Sequence, residues 1–112
     1  LVEPKIEPLT QPLVGFENHG GRTYLEDKSM ALGSILSGFG NNGVDKTEGI
    51  VYKNSFGTYL HGPILPKNPQ LADLLLTLAL EKKYSEKFHL ESLDDSIETK
   101  ARNAILKKLG GL

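Results

Sequence analysis

Between Phe56 and Pro69 the chain reads Phe-Gly-Thr-Tyr-Leu-His-Gly-Pro-Ile-Leu-Pro-Lys-Asn-Pro. A short β-favouring run closes on one histidine, His61, and turn chemistry then continues until a helix can begin at Pro69. Gly62 and Pro63 break the strand, so the sequence puts the His61 imidazole at a strand mouth. Enzymes of the α/β class keep reactive groups at that place. On local pattern alone, a histidine that merely ends a strand and hydrogen-bonds nearby backbone is the better fit.

The rest of the chain supplies short strands before this point and helices after it. Leu1 to Glu7 alternates loosely, and Pro4 restricts it to an edge strand. Its abrupt opening leads to the expectation that the polypeptide continues upstream of Leu1. Pro8 to Pro12 reads as a connector and Leu13 to Glu17 as a short strand that runs into Asn18-His19-Gly20-Gly21, where paired glycines permit a tight turn or a close approach of ligand to backbone. Arg22 then suits either a carboxylate partner or an ordinary surface charge. Glu26 to Ser29 reads as a polar turn and Ala31 to Phe39 as a strand. Gly40 to Asp45 is rich in turn formers but lacks the acid spacing of a calcium loop. Gly49 to Lys53 and Phe56 to His61 predict a hairpin around Asn54-Ser55, with His61 on the second arm, far from the turn.

Beyond His61, Asn68 can cap free amides and Pro69 suits the first position of a helix whose buried stripe is Leu71, Leu74, Leu75, Leu78 and Ala79. Glu81 to Leu93 reads as a charged linker with His89 exposed. Asp95 to Glu98 resembles a capping box, and a second amphipathic helix comes next with Ile97, Ala101, Ala104, Ile105 and Leu109 on one face, stopping at Gly110-Gly111. Strands followed by two helices would make an isolated domain α+β.

Composition narrows what such a chain can do. At 112 residues it suits one domain of modest stability. Its 13 basic and 14 acidic residues are dispersed, which leaves no footprint for nucleic acid or an anionic membrane. The longest apolar run, near Leu74 to Leu80, is too short to span a bilayer, and no export signal opens the segment, so a cytoplasmic location is expected. There is no cysteine, which excludes disulfides, thiolate metal sites and a thiol nucleophile within these residues. The three histidines show no metal-ligand spacing and no phosphate-gripping glycine loop precedes a helix, so no cofactor or metal is expected here.

Two stretches carry a family resemblance: Gly15-Phe16-Glu17-Asn18-His19-Gly20-Gly21-Arg22-Thr23 and Gly57-Thr58-Tyr59-Leu60-His61-Gly62-Pro63-Ile64-Leu65-Pro66-Lys67-Asn68, with Gly38 to Asn42 and Glu48-Gly49-Ile50 between them. They resemble the C-terminal half of class I glutamine amidotransferases of the cobyric-acid-synthase-like branch, nearest the amidotransferase subunit of lipid II isoglutaminyl synthase. The resemblance covers the chain up to about the first helix. It implies an α/β, flavodoxin-like domain of which residues 1–112 are the C-terminal part, with the nucleophile half upstream. In such enzymes a cysteine attacks the glutamine amide while a histidine activates the thiol and then protonates departing ammonia. That role passes to His61, because an imidazole can serve both steps near neutral pH.

Two features depart from the wider class. The cysteine is absent, so this chain alone should not hydrolyse glutamine, and the position two residues after the histidine is Pro63 rather than an acid. The cobyric-acid-synthase branch generally lacks that acid, so a third triad member, if needed, would come from another segment or a partner. By placement in the family, Asn18, Gly20, Gly21 and Arg22 would form a wall for L-glutamine, with His19 structural. Glu17 suits either use.

The resemblance further implies a Mur-ligase-like partner that holds ATP and magnesium and amidates the stem-peptide glutamate of lipid II. Amidation of cobyrinic or cobyric acid is the first alternative, and a non-catalytic binding module that lacks the thiol is the second. Half of a doubly wound sheet would leave an exposed edge, so an isolated fragment is expected to self-associate as a homo-oligomer or to be held by the missing half.

Overall fold

A computed structural model describes residues 1–110 as two compact units, Leu1–Ile64 and the segment from Leu65 onward. The first unit carries seven short strands: β1 (Val2–Pro4), β2 (Phe16–Glu17), β3 (Gly33–Ile35), β4 (Thr47–Glu48), β5 (Ile50–Tyr52), β6 (Ser55–Gly57) and β7 (Leu60–His61). They form a three-stranded sheet ordered β1-β3-β4 and two ribbons, β2-β7 and β5-β6. All of these ladders are antiparallel. Parallel pairing needs a crossover of a dozen or more residues, usually a helix, and no α-helix separates β1 from β7. The architecture is mixed α/β with strands first and helices last.

β1 lies at a sheet edge, where Pro4 removes no central ladder bond, as its sequence requires. The Leu13 segment contributes a single bridge to Val2, and only Phe16–Glu17 forms a strand there. The predicted strand of Ala31 to Phe39 contracts to Gly33–Ile35, and the predicted polar turn near Ser29 is a 3-10 turn at Lys28–Met30. Val2, Leu9, Leu13, Val14, Ala31, Leu32 and Leu60 are buried in this unit. Leu13 is fully enclosed, so Leu13→Ala should cost about 2–5 kcal/mol through lost burial and a residual cavity. Urea unfolding of the two proteins side by side checks this.

The second unit holds α2 (Pro69–Tyr84) and α3 (Ser96–Lys108); a one-turn helix, α1 (Ile64–Lys67), crosses the boundary and was not legible as a helix beside Pro66. Pro69 occupies the first turn of α2, as predicted, and the helix runs past Glu81 before Ser85 closes it in a left-handed conformation. Of the predicted stripe, Leu71 and Leu74 are buried, Leu75 and Leu78 are half-buried, and Ala79 is exposed. His89 is exposed.

Three helix expectations need correction. Asn68 does not cap α2 with its side chain; it is buried, and its Oδ1 accepts a hydrogen bond from Arg102 Nη1 at 3.0 Å. Asp95 makes no capping-box bond, and the Ser96 amide turns instead to Asp94 Oδ1 at 3.0 Å. The predicted apolar face of α3 is not its buried face: Ile97 is 75% exposed, whereas Arg102 is 5% exposed. The guanidinium takes the buried position because Asn68 and the Lys67 carbonyl oxygen, 3.4 Å away, offer it acceptors. Gly110, just past α3, has a positive φ, and Gly111 lies outside the described residues.

Candidate active site

The hairpin β5-β6 turns at Lys53-Asn54, with Lys53 at φ 53°, and pairs Tyr52 with Ser55. Its second arm ends at Gly57, so His61 is not on it. The residues that follow Gly57 bond to Glu48. This carboxylate, fully buried at the end of β4, accepts the Tyr59 amide at 2.7 Å on Oε1 and the Thr58 hydroxyl at 2.9 and 3.0 Å on its two oxygens. Thr58 Oγ1 in turn accepts the Leu60 amide at 3.0 Å. The chain there leaves the hairpin and starts β7, in which Leu60 faces Glu17 and His61 faces Phe16. The imidazole is exposed and tilts against the Phe16 ring, with centroids 5.7 Å apart. Burial pushes the Glu48 carboxyl above the usual range, opposed by the Tyr59 amide and the Thr58 hydroxyl.

The Asn18 to Arg22 segment is pinned to β7 through Tyr59. The His19 ring stacks on the Tyr59 ring at 3.6 Å between centroids and 9° between planes. Its Nδ1 lies 2.7 Å from the Gly21 carbonyl oxygen, which places the proton on Nδ1. The Tyr59 hydroxyl meets Thr23 Oγ1 at 2.8 Å. His19 thus ties the Gly21 carbonyl to the Tyr59 ring.

Glu17 also acts on backbone: its carboxylate accepts the Phe39 amide at 2.9 Å and the Gly40 amide at 2.7 Å. Asn42 Nδ2 donates to the Thr23 carbonyl at 2.9 Å, and buried Asn41 brackets Gly49, accepting its amide and donating to its carbonyl. Between these braces opens a cavity of about 560 Å³ whose wall includes Glu17, His19, Gly20, Gly21, Arg22 and Phe39.

Of the residues picked from sequence, Gly20, Gly21 and Arg22 come together in this cavity, with Arg22 exposed on its wall. Asn18 and His61 are not among the lining residues. In the β2-β7 ribbon, alternation puts Phe16 and His61 on one face and Glu17 and Leu60 on the other. Sequence reasoning gave Glu48 and Tyr59 no role of their own, since the partners of each lie ten or more residues away in the chain.

The loop before β4 is held by bonds from its own Asn42 and Asp45 side chains to backbone amides. Asn42 Oδ1 accepts the amides of Val44 and Asp45, and Asp45 Oδ1 accepts the Thr47 amide at 3.0 Å and hydroxyl at 2.7 Å. Bonds from Asn42 and then Thr47, aided by Lys28, hold the Asp45 carboxyl at about 2. A carboxyl depressed in the folded state stabilises above its unfolded pKa of about 3.9, and that contribution is lost as pH falls through about 2. Asp45→Asn should therefore flatten the acid limb of the stability curve between about pH 4 and pH 2, as thermal melts across that range would show. Among the described residues no three acidic or histidine side chains cluster as metal ligands, and no helix is long and apolar enough to cross a membrane.

Residues 2–69 match the CobB/CobQ-like glutamine amidotransferase domain. The chain belongs to this family. Every residue of the candidate site lies within the amidotransferase match, whereas α3 lies beyond it. Two relatives carry the same name, lipid II isoglutaminyl synthase (glutamine-hydrolyzing) subunit GatD. The protein from Staphylococcus aureus is 49% identical over 96 residues, covering 86% of this chain and 38% of its own. The one from Streptococcus pneumoniae is 47% identical over 89 residues, covering 80% and 34%. This amidotransferase chain thus spans little more than a third of the length of these relatives.

Proposed function

We propose that the chain is the histidine-bearing part of a glutaminase subunit that supplies ammonia for amidation of the lipid II stem peptide. The observation that carries this reading is the family match together with its two named relatives, joined to an exposed imidazole at the start of a strand break. In this reading residues 1–112 are the C-terminal part of one flavodoxin-like amidotransferase domain. The nucleophilic cysteine comes from outside these residues, which contain none.

His61 takes the thiol proton and returns it to the leaving ammonia. Gly20 and Gly21 offer backbone to glutamine, and the Arg22 guanidinium pairs its α-carboxylate. Asn18 belongs to the same segment without lining the cavity. A Mur-ligase-like partner would hold ATP and magnesium and activate the acceptor carboxyl.

Ammonia release from L-glutamine by the complete subunit, alone and with its ligase partner, tests the reading. A subunit that binds the ligase but releases no ammonia would be a binding module, and the reading would fall.

A further inference from the structure

We propose that Glu48 is the positioning residue for His61: its buried carboxylate fixes where β7 starts and so where the imidazole is presented. This rests on the reading of His61 as the proton-transfer group. A carboxylate without solvent is costly to keep unless its oxygens are bonded. Here the Glu48 oxygens bond Thr58 and Tyr59, the two residues that separate the hairpin from β7. The Thr58 hydroxyl has one proton, which it gives to the carboxylate, so its lone pairs are free to take the Leu60 amide. The relay runs from Glu48 through Thr58 to the residue immediately before His61.

The same carboxylate reaches the other wall of the candidate site. By holding the Tyr59 amide it sets the ring on which His19 stacks and the hydroxyl that meets Thr23. His19 in turn holds Gly21 through its carbonyl oxygen. A neutral apolar residue of similar size could fill the space under Tyr59, but it would offer nothing to the Tyr59 amide or the Thr58 hydroxyl. With those bonds gone, β6 would be free to continue in the register of β5, which is the hairpin the local sequence favours. His61 would then leave its place opposite Phe16.

The test uses the complete amidotransferase with Glu48→Ala, Glu48→Gln and Thr58→Val. A misplacement of the reacting group by about 1 Å costs on the order of a hundredfold, so Glu48→Ala should lose about that much in kcat, together with a smaller rise in the KM for glutamine as the His19–Gly21 wall loosens. Glu48→Gln keeps an acceptor oxygen for the Tyr59 amide and should recover most of the rate. Thr58→Val, which removes only the relay, should fall between them. In parallel, the His61 Cε1–H resonance should move in Glu48→Ala and return in Glu48→Gln.

Parent kcat in Glu48→Ala with an unmoved His61 resonance overturns the inference, as does a rise in KM alone. If Glu48→Ala does not fold, parent kcat in Thr58→Val overturns it and a reduced kcat supports it. If His61→Ala itself retains full activity, the reading of His61 fails, while the resonance still decides whether Glu48 sets the position of its ring.

Discussion

Replacing His61 with alanine should lower glutamine hydrolysis by the complete subunit by about 10²–10⁴-fold, the range for removal of a positioned acid–base group. The loss should lie in kcat, because His61 is not part of the cavity wall formed by Gly20, Gly21 and Arg22. It should not be a folding defect. The side chain is exposed, and the ladder with Phe16 is made by backbone, so the change in stability should stay within about 0.5 kcal/mol. A thiol without its base can still be alkylated at high pH, where it ionises unaided. Iodoacetamide labelling of the subunit's cysteine should therefore shift to higher pH in His61→Ala. Unchanged hydrolysis at neutral pH would remove His61 from the chemistry.

Legibility in the sequence tracks the range of the forces involved. Breakers act within a few residues, so the stop after His61, the Pro69 helix start and the edge character of β1 were legible. Arg102 was not: its buried place depends on Asn68 and the Lys67 carbonyl, more than thirty positions earlier, and helical periodicity assigns an arginine to solvent. The same distance hid the hairpin's true end. Phe56 to His61 reads as one β-favouring run, yet it is divided at Thr58-Tyr59, where the chain bonds the Glu48 carboxylate folded in from β4. Gly20, Gly21 and Arg22 share one cavity wall because the segment that holds them is contiguous. The bracing by Glu17 of Phe39 and Gly40, twenty-two residues away and more, carried no local signal.

Gly40 is where that bracing makes a second large effect expected. It sits at φ 66°, a conformation that costs an ordinary residue about 1–2 kcal/mol. A Cβ there would also overlap the Thr47 carbonyl oxygen and come within 2.7 Å of Ile35 Cγ1. The carbonyl cannot retreat freely, since it accepts the Asn41 amide at 2.9 Å. Overpacking of this kind adds about 1–3 kcal/mol, so Gly40→Ala should destabilise by about 2–5 kcal/mol in all. That is a large share of the roughly 5–15 kcal/mol that holds a domain together. The Gly40 amide also serves the Glu17 carboxylate, so a shift here should deform the cavity and raise the KM for glutamine before the protein melts. Gly20 provides the matched comparison. A Cβ on it meets no atom within 4 Å, and Gly20→Ala should leave stability within about 0.5 kcal/mol. Denaturant unfolding of both variants separates the cases. Equal stability of Gly40→Ala and the parent would mean that the Phe39–Gly40 turn is not a tight brace, whereas a rise in KM confined to Gly20→Ala would place the ligand directly against that glycine.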